Sequence, residues 1–123
     1  MDPLENATLR NDERRALERF LSLVGERLGD DLIAVWLYGS RARGETPQDD
    51  SDVDVMVVTR TGRRHDLDRV HSMLWQAAEE AGANPVLFSV QVSDPGWLAE
   101  RREIRSFFMQ EVDRDKIVLA GDS

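Results

Sequence analysis

The chain has 123 residues, 41% hydrophobic and 33% charged, with a net charge of −8. One domain with one modest core suits that length. The acidic balance argues against a general nucleic-acid-binding surface, which needs excess cation to displace phosphate counterions, and the absence of cysteine excludes disulfides, thiolate metal sites and cysteine nucleophiles.

Residues 1–9 are polar, include Pro3, Asn6 and Thr8, and read as a flexible arm. They carry no basic-then-apolar targeting signal. No apolar run approaches the roughly 20 residues needed to span a bilayer. A soluble cytoplasmic protein is the expectation. Leu17, Phe20, Leu21, Val24 and Leu28 recur at the spacing of one helical face, which predicts a helix over 11–28. Asn11 or Asp12 can cap its start and Gly29 its end.

Residues 32–38 (LIAVWLY) predict a short strand covered on both faces. Gly39 stops it. Residues 40–51 are polar, with Gly44 and Pro47, and read as loop with room for one helical turn after Ser40. Residues 53–59 predict a second strand. Leu67, Val70, Met73, Leu74, Ala77, Ala78 and Ala81 give a helix over 65–81, ended by Gly82. A third strand follows over 86–92. Ser93 or Asp94 can cap a further helical region with Pro95 in its first turn. That region reads as one or two pieces, and residues 116–120 form a short last strand. The order predicts a single α/β domain over 1–123, a small mixed sheet of three to four strands packed with helices.

The chemistry sits between the first two strands. Asp52 and Asp54 open the second strand, and alternation points them to the same side, about 7 Å apart. Two such carboxylates repel each other and lose hydration. A bound Mg²⁺ or Mn²⁺ relieves both problems, and phosphate oxygens commonly complete its shell. Gly39 lets a phosphate approach the backbone, and Ser40 adds a hydroxyl donor. Arg41 and Arg43 can fork onto phosphate oxygens. Taken singly, each feature is also ordinary: a solvated strand start, a turn, an arginine-rich loop. A calcium loop over Asp50, Asp52 and Asp54 fails because Val55 stands where that loop needs glycine.

Together, the strand–GSRARGE–loop–SDVDV–strand pattern over 37–58 resembles the nucleotidyltransferase superfamily that includes DNA polymerase beta. It is most similar to the minimal nucleotidyltransferase group, whose genes often lie beside those of HEPN-domain proteins. The resemblance implies the nucleotidyltransferase fold. It implies that Gly39 and Ser40 bind a nucleoside triphosphate, that Asp52 and Asp54 are the catalytic, metal-binding pair, and that Arg41 and Arg43 help neutralise phosphate charge. The implied reaction transfers a nucleoside monophosphate, AMP from ATP, to a hydroxyl on a partner protein. A HEPN-type toxin is the implied partner, with this chain as its antitoxin.

Two departures stand out. Eleven residues separate Ser40 from Asp52, one more than is common in the minimal group, which a surface loop absorbs. Active members usually carry a third carboxylate on a later strand, and residues 85–92 hold none. Ser89, Gln91 and Asp94 are the positions that could substitute. An alternative therefore stands beside the enzyme: a catalytically impaired nucleotide-binding or partner-binding module of the same fold. A small-molecule adenylyltransferase is a weaker third option, since those enzymes usually have a second domain. His65 and His71 are six apart, face different sides of a helix, and suggest no metal pair. Trp36, Trp75 and Trp97 read as core or interface anchors rather than base-stacking platforms.

Overall fold

The computed structural model describes residues 2–45 and 52–123, except for the side chain of Arg63. Four strands form one mixed sheet in the order β3-β2-β1-β4. They are β1 (Leu32–Tyr38), β2 (Val53–Thr59), β3 (Phe88–Ser93) and β4 (Ile117–Gly121). β1 pairs antiparallel with β2 and β4, while β2 and β3 run parallel.

Both faces of the sheet are covered. Val35, Leu37, Val53, Val55 and Val57 point to one side. There they meet α1 (Asn11–Leu28) and α3 (Arg63–Ala81) through Leu17, Phe20, Val24, Val70, Met73 and Leu74. Ala34, Trp36, Tyr38, Met56 and Val58 point to the other side and meet Leu98, Met109 and Val112. Those residues belong to α4 (Pro95–Glu103) and α5 (Phe107–Asp115). Double coverage explains why β1 and β2 read as nearly continuous apolar runs rather than alternating ones.

The elements follow the sequence closely, with local differences. Neither Asn11 nor Asp12 caps α1. Arg10 is its N-cap, and the Glu13 carboxylate accepts the Arg10 N–H at 2.8 Å, the backward half of a capping box. Asp94, and not Ser93, caps α4 by accepting the Trp97 N–H at 2.8 Å. The helical region after it is two pieces. Ser106 caps the second, accepting the Met109 N–H at 3.1 Å. The third strand begins later than expected, because Pro85–Leu87 forms a single 3-10 turn.

Where the sequence suggests a flexible arm, the opening residues pack. Leu4 is buried, and Asp2 pairs with Arg14 at 2.6 Å. Thr8 donates its N–H to the Arg41 carbonyl at 2.9 Å. One buried leucine and a ladder-like backbone bond outweigh the polarity of the rest of the segment.

Candidate active site

β1 ends at Tyr38, and Gly39–Ala42 forms the single helical turn α2. Gly39 has φ +77°, a backbone region costly for residues with a Cβ. A Cβ there would also collide with the Asp54 carboxylate. Glycine thus does two jobs: it turns the chain sharply, and it lets Asp54 lie against the backbone.

Register fixes the neighbours. Tyr38 pairs with Asp54, and Asp54 with Ser89, so these three side chains form one row across the sheet face. Gln91 pairs with Met56, one row further from the site end. Asp94 follows Ser93, which pairs with Val58, so it stands at the opposite end of the strands. There its carboxylate caps α4 and packs beside Gly62. Of the three positions considered for a missing third acid, Ser89 is beside Asp54, Gln91 is a row away and Asp94 is remote.

A cleft of about 300 Å³ opens at this end of the sheet. Tyr38, Gly39, Ser40, Arg43 and Asp54 line it together with Phe108, Glu111 and Val112 of α5. The Phe108 ring meets Tyr38 edge-on with centroids 5.6 Å apart. The Asp54 carboxyl is raised to about 6, first by burial and then by the negative charge of Asp52. Arg41 and Arg43 act in the opposite direction. Burial and the Asp54 charge push the Tyr38 hydroxyl well up too. Asp52 is exposed immediately before β2.

The two arginines part company. Arg41 is 3% exposed. Its guanidinium donates to both oxygens of buried Glu13, at 2.7 and 3.2 Å, and to the Thr8 carbonyl at 3.1 Å. Rather than forking onto a ligand, it ties α2 to α1 and to the opening segment. Its charge still reaches Asp54. Arg43 reaches the cleft, held by Glu45 at 3.0 Å and Asp115 at 3.3 Å. Two residues apart on a single turn, the two side chains cannot face the same way.

Phe108, Glu111 and Tyr38 are cleft residues that the motif did not reveal. Phe108, Glu111, Val112 and Asp115 have the spacing of one helical face, and that spacing was visible. What the face opposes was not. Residues 46–51, including Asp50, lie outside the described residues.

Residues 14–117 match the model of the nucleotidyltransferase domain family. The chain belongs to that family. A candidate protein adenylyltransferase from Methanocaldococcus jannaschii is 41% identical over 58 residues, which cover 47% of this chain and 38% of the relative. The chain thus matches well under half the length of that curated relative. In fold, this nucleotidyltransferase domain is similar to a crystal structure of a mutant toxin-antitoxin MntA-HpeT, with TM-score 0.52 and 17% identity. That match covers 86% of this chain and 73% of the other. It is also similar to spectinomycin adenyltransferase AAD(9) from Enterococcus faecialis, solved with ATP and spectinomycin. There the TM-score is 0.55 and the identity 15%, covering 89% of this chain and 56% of the other. At these identities the structural matches speak for the fold. The expected mixed α/β nucleotidyltransferase fold is what the chain has. No helix among the described residues is long and apolar enough to cross a membrane.

Proposed function

We propose that the chain is a Mg²⁺-dependent nucleotidyltransferase that moves AMP from ATP to a hydroxyl on a partner protein. The observation that carries this reading is the meeting of Gly39, Ser40, Arg43 and Asp54 in one cleft. The donors and the carboxylate come from consecutive strands, so one triphosphate can touch both.

The residues fit a divalent cation. Asp54 is a half-buried carboxylate whose proton is held by burial and by the charge of Asp52, and a hard cation replaces that proton. Asp52 and Asp54 would hold it. Among the described residues no group of three or more His, Asp or Glu gathers as a metal cage, so phosphate oxygens and water would fill the remaining positions. Such an ion neutralises phosphate charge and draws the phosphate oxygens into place. The chain's own part is positioning. Ser40 and Arg43 present donors to the phosphates. Gly39 leaves room for them, and Phe108 and Tyr38 form an apolar flank for the nucleoside.

A protein acceptor is favoured by what adjoins the cleft. Phe107 is 86% exposed and directly precedes the cleft residue Phe108. The Methanocaldococcus jannaschii relative is a candidate protein adenylyltransferase, and the MntA-HpeT neighbour is a toxin-antitoxin. Both support a protein partner, and a HEPN-type toxin is the one proposed. The test mixes the chain, Mg²⁺, α-labelled ATP and the product of the adjacent gene. Label should pass to the partner, and Asp54→Asn should abolish the transfer. Equal labelling by the wild type and Asp54→Asn would overturn the reading.

A second reading keeps the cleft without transfer. It is favoured by Ser89, a residue that cannot carry the third carboxylate's charge, standing in register beside Asp54. Partner binding that is tight and indifferent to Asp52→Ala and Asp54→Ala would select it.

A further inference from the structure

α5 carries three acids, and they are treated differently. Asp113 is held by Arg102 and Lys116, both at 2.9 Å. Asp115 is held by Arg43 at 3.3 Å and Arg114 at 2.9 Å. The Glu111 side chain makes no hydrogen bond or ion pair among the described residues. Yet it is the one of the three that lines the cleft with Asp54 and Ser40.

Contacts on either side of it place its backbone, and its tip is open. One turn before it, Phe108 packs on Tyr38 with centroids 5.6 Å apart. One turn after it, Asp115 grips Arg43. The helix is therefore pinned to the cleft on both sides of Glu111, while the side chain itself is exposed. A carboxylate on the wall of a phosphate-binding cleft repels its ligand unless it serves a different group. An incoming hydroxyl is such a group, because it is neutral and has a proton to lose. In the row beside Asp54 the neighbouring strand offers Ser89, which is no base at neutral pH.

We propose that Glu111 is the catalytic general base for the acceptor, supplied by α5 in place of a strand carboxylate. This rests on the nucleotidyltransferase reading above. The acceptor O–H proton passes to the Glu111 carboxylate as the oxygen forms its bond to the α-phosphorus. The bond from that phosphorus to the pyrophosphate oxygen breaks, and pyrophosphate leaves with the electron pair. The proton then passes from Glu111 to solvent. ATP and a hydroxyl compound become the AMP ester, pyrophosphate and a proton.

The test uses the full chain and its Glu111→Gln variant, which keeps the side-chain shape. Calorimetry with Mg²⁺ and α,β-methylene-ATP reads nucleotide binding. Release of pyrophosphate from Mg²⁺·ATP, with glycerol or water as acceptor, reads chemistry. Carbon-13 NMR of labelled glutamate carboxyls reads the site directly, the Glu111 signal being identified by its absence in Glu111→Gln. Glu111→Gln should bind the analogue as the wild type does and release pyrophosphate about 100-fold more slowly, within the range general-base catalysis supplies. The Glu111 signal should move when Mg²⁺ and the analogue are added. Normal binding with no wild-type pyrophosphate release, with equal rates in the two proteins, or with an unmoved Glu111 signal overturns the role of Glu111 and leaves the nucleotide site standing. Failure of the wild type to bind the analogue overturns the nucleotidyltransferase reading itself, and Glu111's role with it.

Discussion

Asp54 is built to be unhappy alone. Its folded carboxyl titrates at about 6, against an ordinary 3.8, because burial and Asp52 both oppose its charge. The folded state therefore binds the proton more tightly than the unfolded chain. This group's contribution is full below the ordinary value and is lost as pH rises through about 6. Asp54→Asn removes that loss. The variant should gain stability over the wild type between pH 4.5 and 7.5, by about 1 kcal/mol after discounting for solvent screening. Urea midpoints at the two pH values check this, and an equal difference at both would sink it. The same linkage means Mg²⁺ should bind more tightly as pH rises through 6, releasing a proton. Arg41 gives a second residue-scale contrast. Arg41→Met strands the buried Glu13 carboxylate and should cost about 3 kcal/mol. Arg43→Met breaks only solvent-screened pairs with Glu45 and Asp115 and should cost under about 1 kcal/mol, while weakening nucleotide binding. Chemical denaturation separates the two. The motif made these arginines look alike, since nothing in GSRARGE names a partner 28 residues upstream.

At the scale of elements, most boundaries were legible because local signals agreed. Gly29 and Gly82 end helices with positive φ, Pro95 sits in a first turn, and doubly covered strands read as apolar runs. What local signals could not supply was register. The sequence put Ser89 and Gln91 on one face and left Asp94 just beyond the strand, without saying which of them stands beside Asp54. Pairing of β3 with β2 ranks them, because one residue of slip moves a side chain to the other face. The strand ladder makes the ranking testable. Ser89→Asp places a third carboxylate beside Asp54, and without metal the crowding should lower stability at pH 7.5 by about 1 kcal/mol. With Mn²⁺ the same variant should bind the ion more tightly than the wild type, measured by calorimetry. Asp94→Ala should instead lose a helix cap, costing about 1 kcal/mol, and leave Mn²⁺ and nucleotide binding unchanged. Weaker ion binding by Asp94→Ala would contradict its position at the far end of β3. The wall formed by α5 was the least legible part of the site. Its helical period marks a face, but only the packing of Phe108 on Tyr38 aims that face at the cleft.

Across the whole molecule, the cleft is held from three directions. The sheet supplies Asp54, α5 closes one side through Asp115 and Arg43, and the opening residues brace the turn that carries Ser40. That last support is unusual in being made almost entirely of backbone and buried charge. Thr8 donates to the Arg41 carbonyl and accepts from the Arg41 guanidinium. A Cβ on Gly44 would meet the Asn6 carbonyl at 2.8 Å, so the segment lies directly against the loop after Ser40. Leu4 anchors it in the core shared by α1 and α3. A segment with few apolar residues reads as loose in sequence, because one leucine leaves no periodicity to detect. Its role follows from contacts with residues more than 30 positions away. Deleting residues 1–9 should therefore do more than trim a tail. The lost leucine and the exposed Glu13–Arg41 pair should together cost about 2–4 kcal/mol. The fold should survive, since every strand and the caps of α3, α4 and α5 lie outside the deletion. Affinity for Mg²⁺ and α,β-methylene-ATP should fall further than stability alone explains, because Ser40 loses its brace. Leu4→Ala separates the two effects. It lowers stability by about 2 kcal/mol while keeping both Thr8–Arg41 bonds, so nucleotide affinity should stay near that of the wild type. Denaturation and calorimetry on the deletion and on Leu4→Ala decide the matter: equal affinity in both variants would reduce the opening segment to a stabilising patch with no hold on the site.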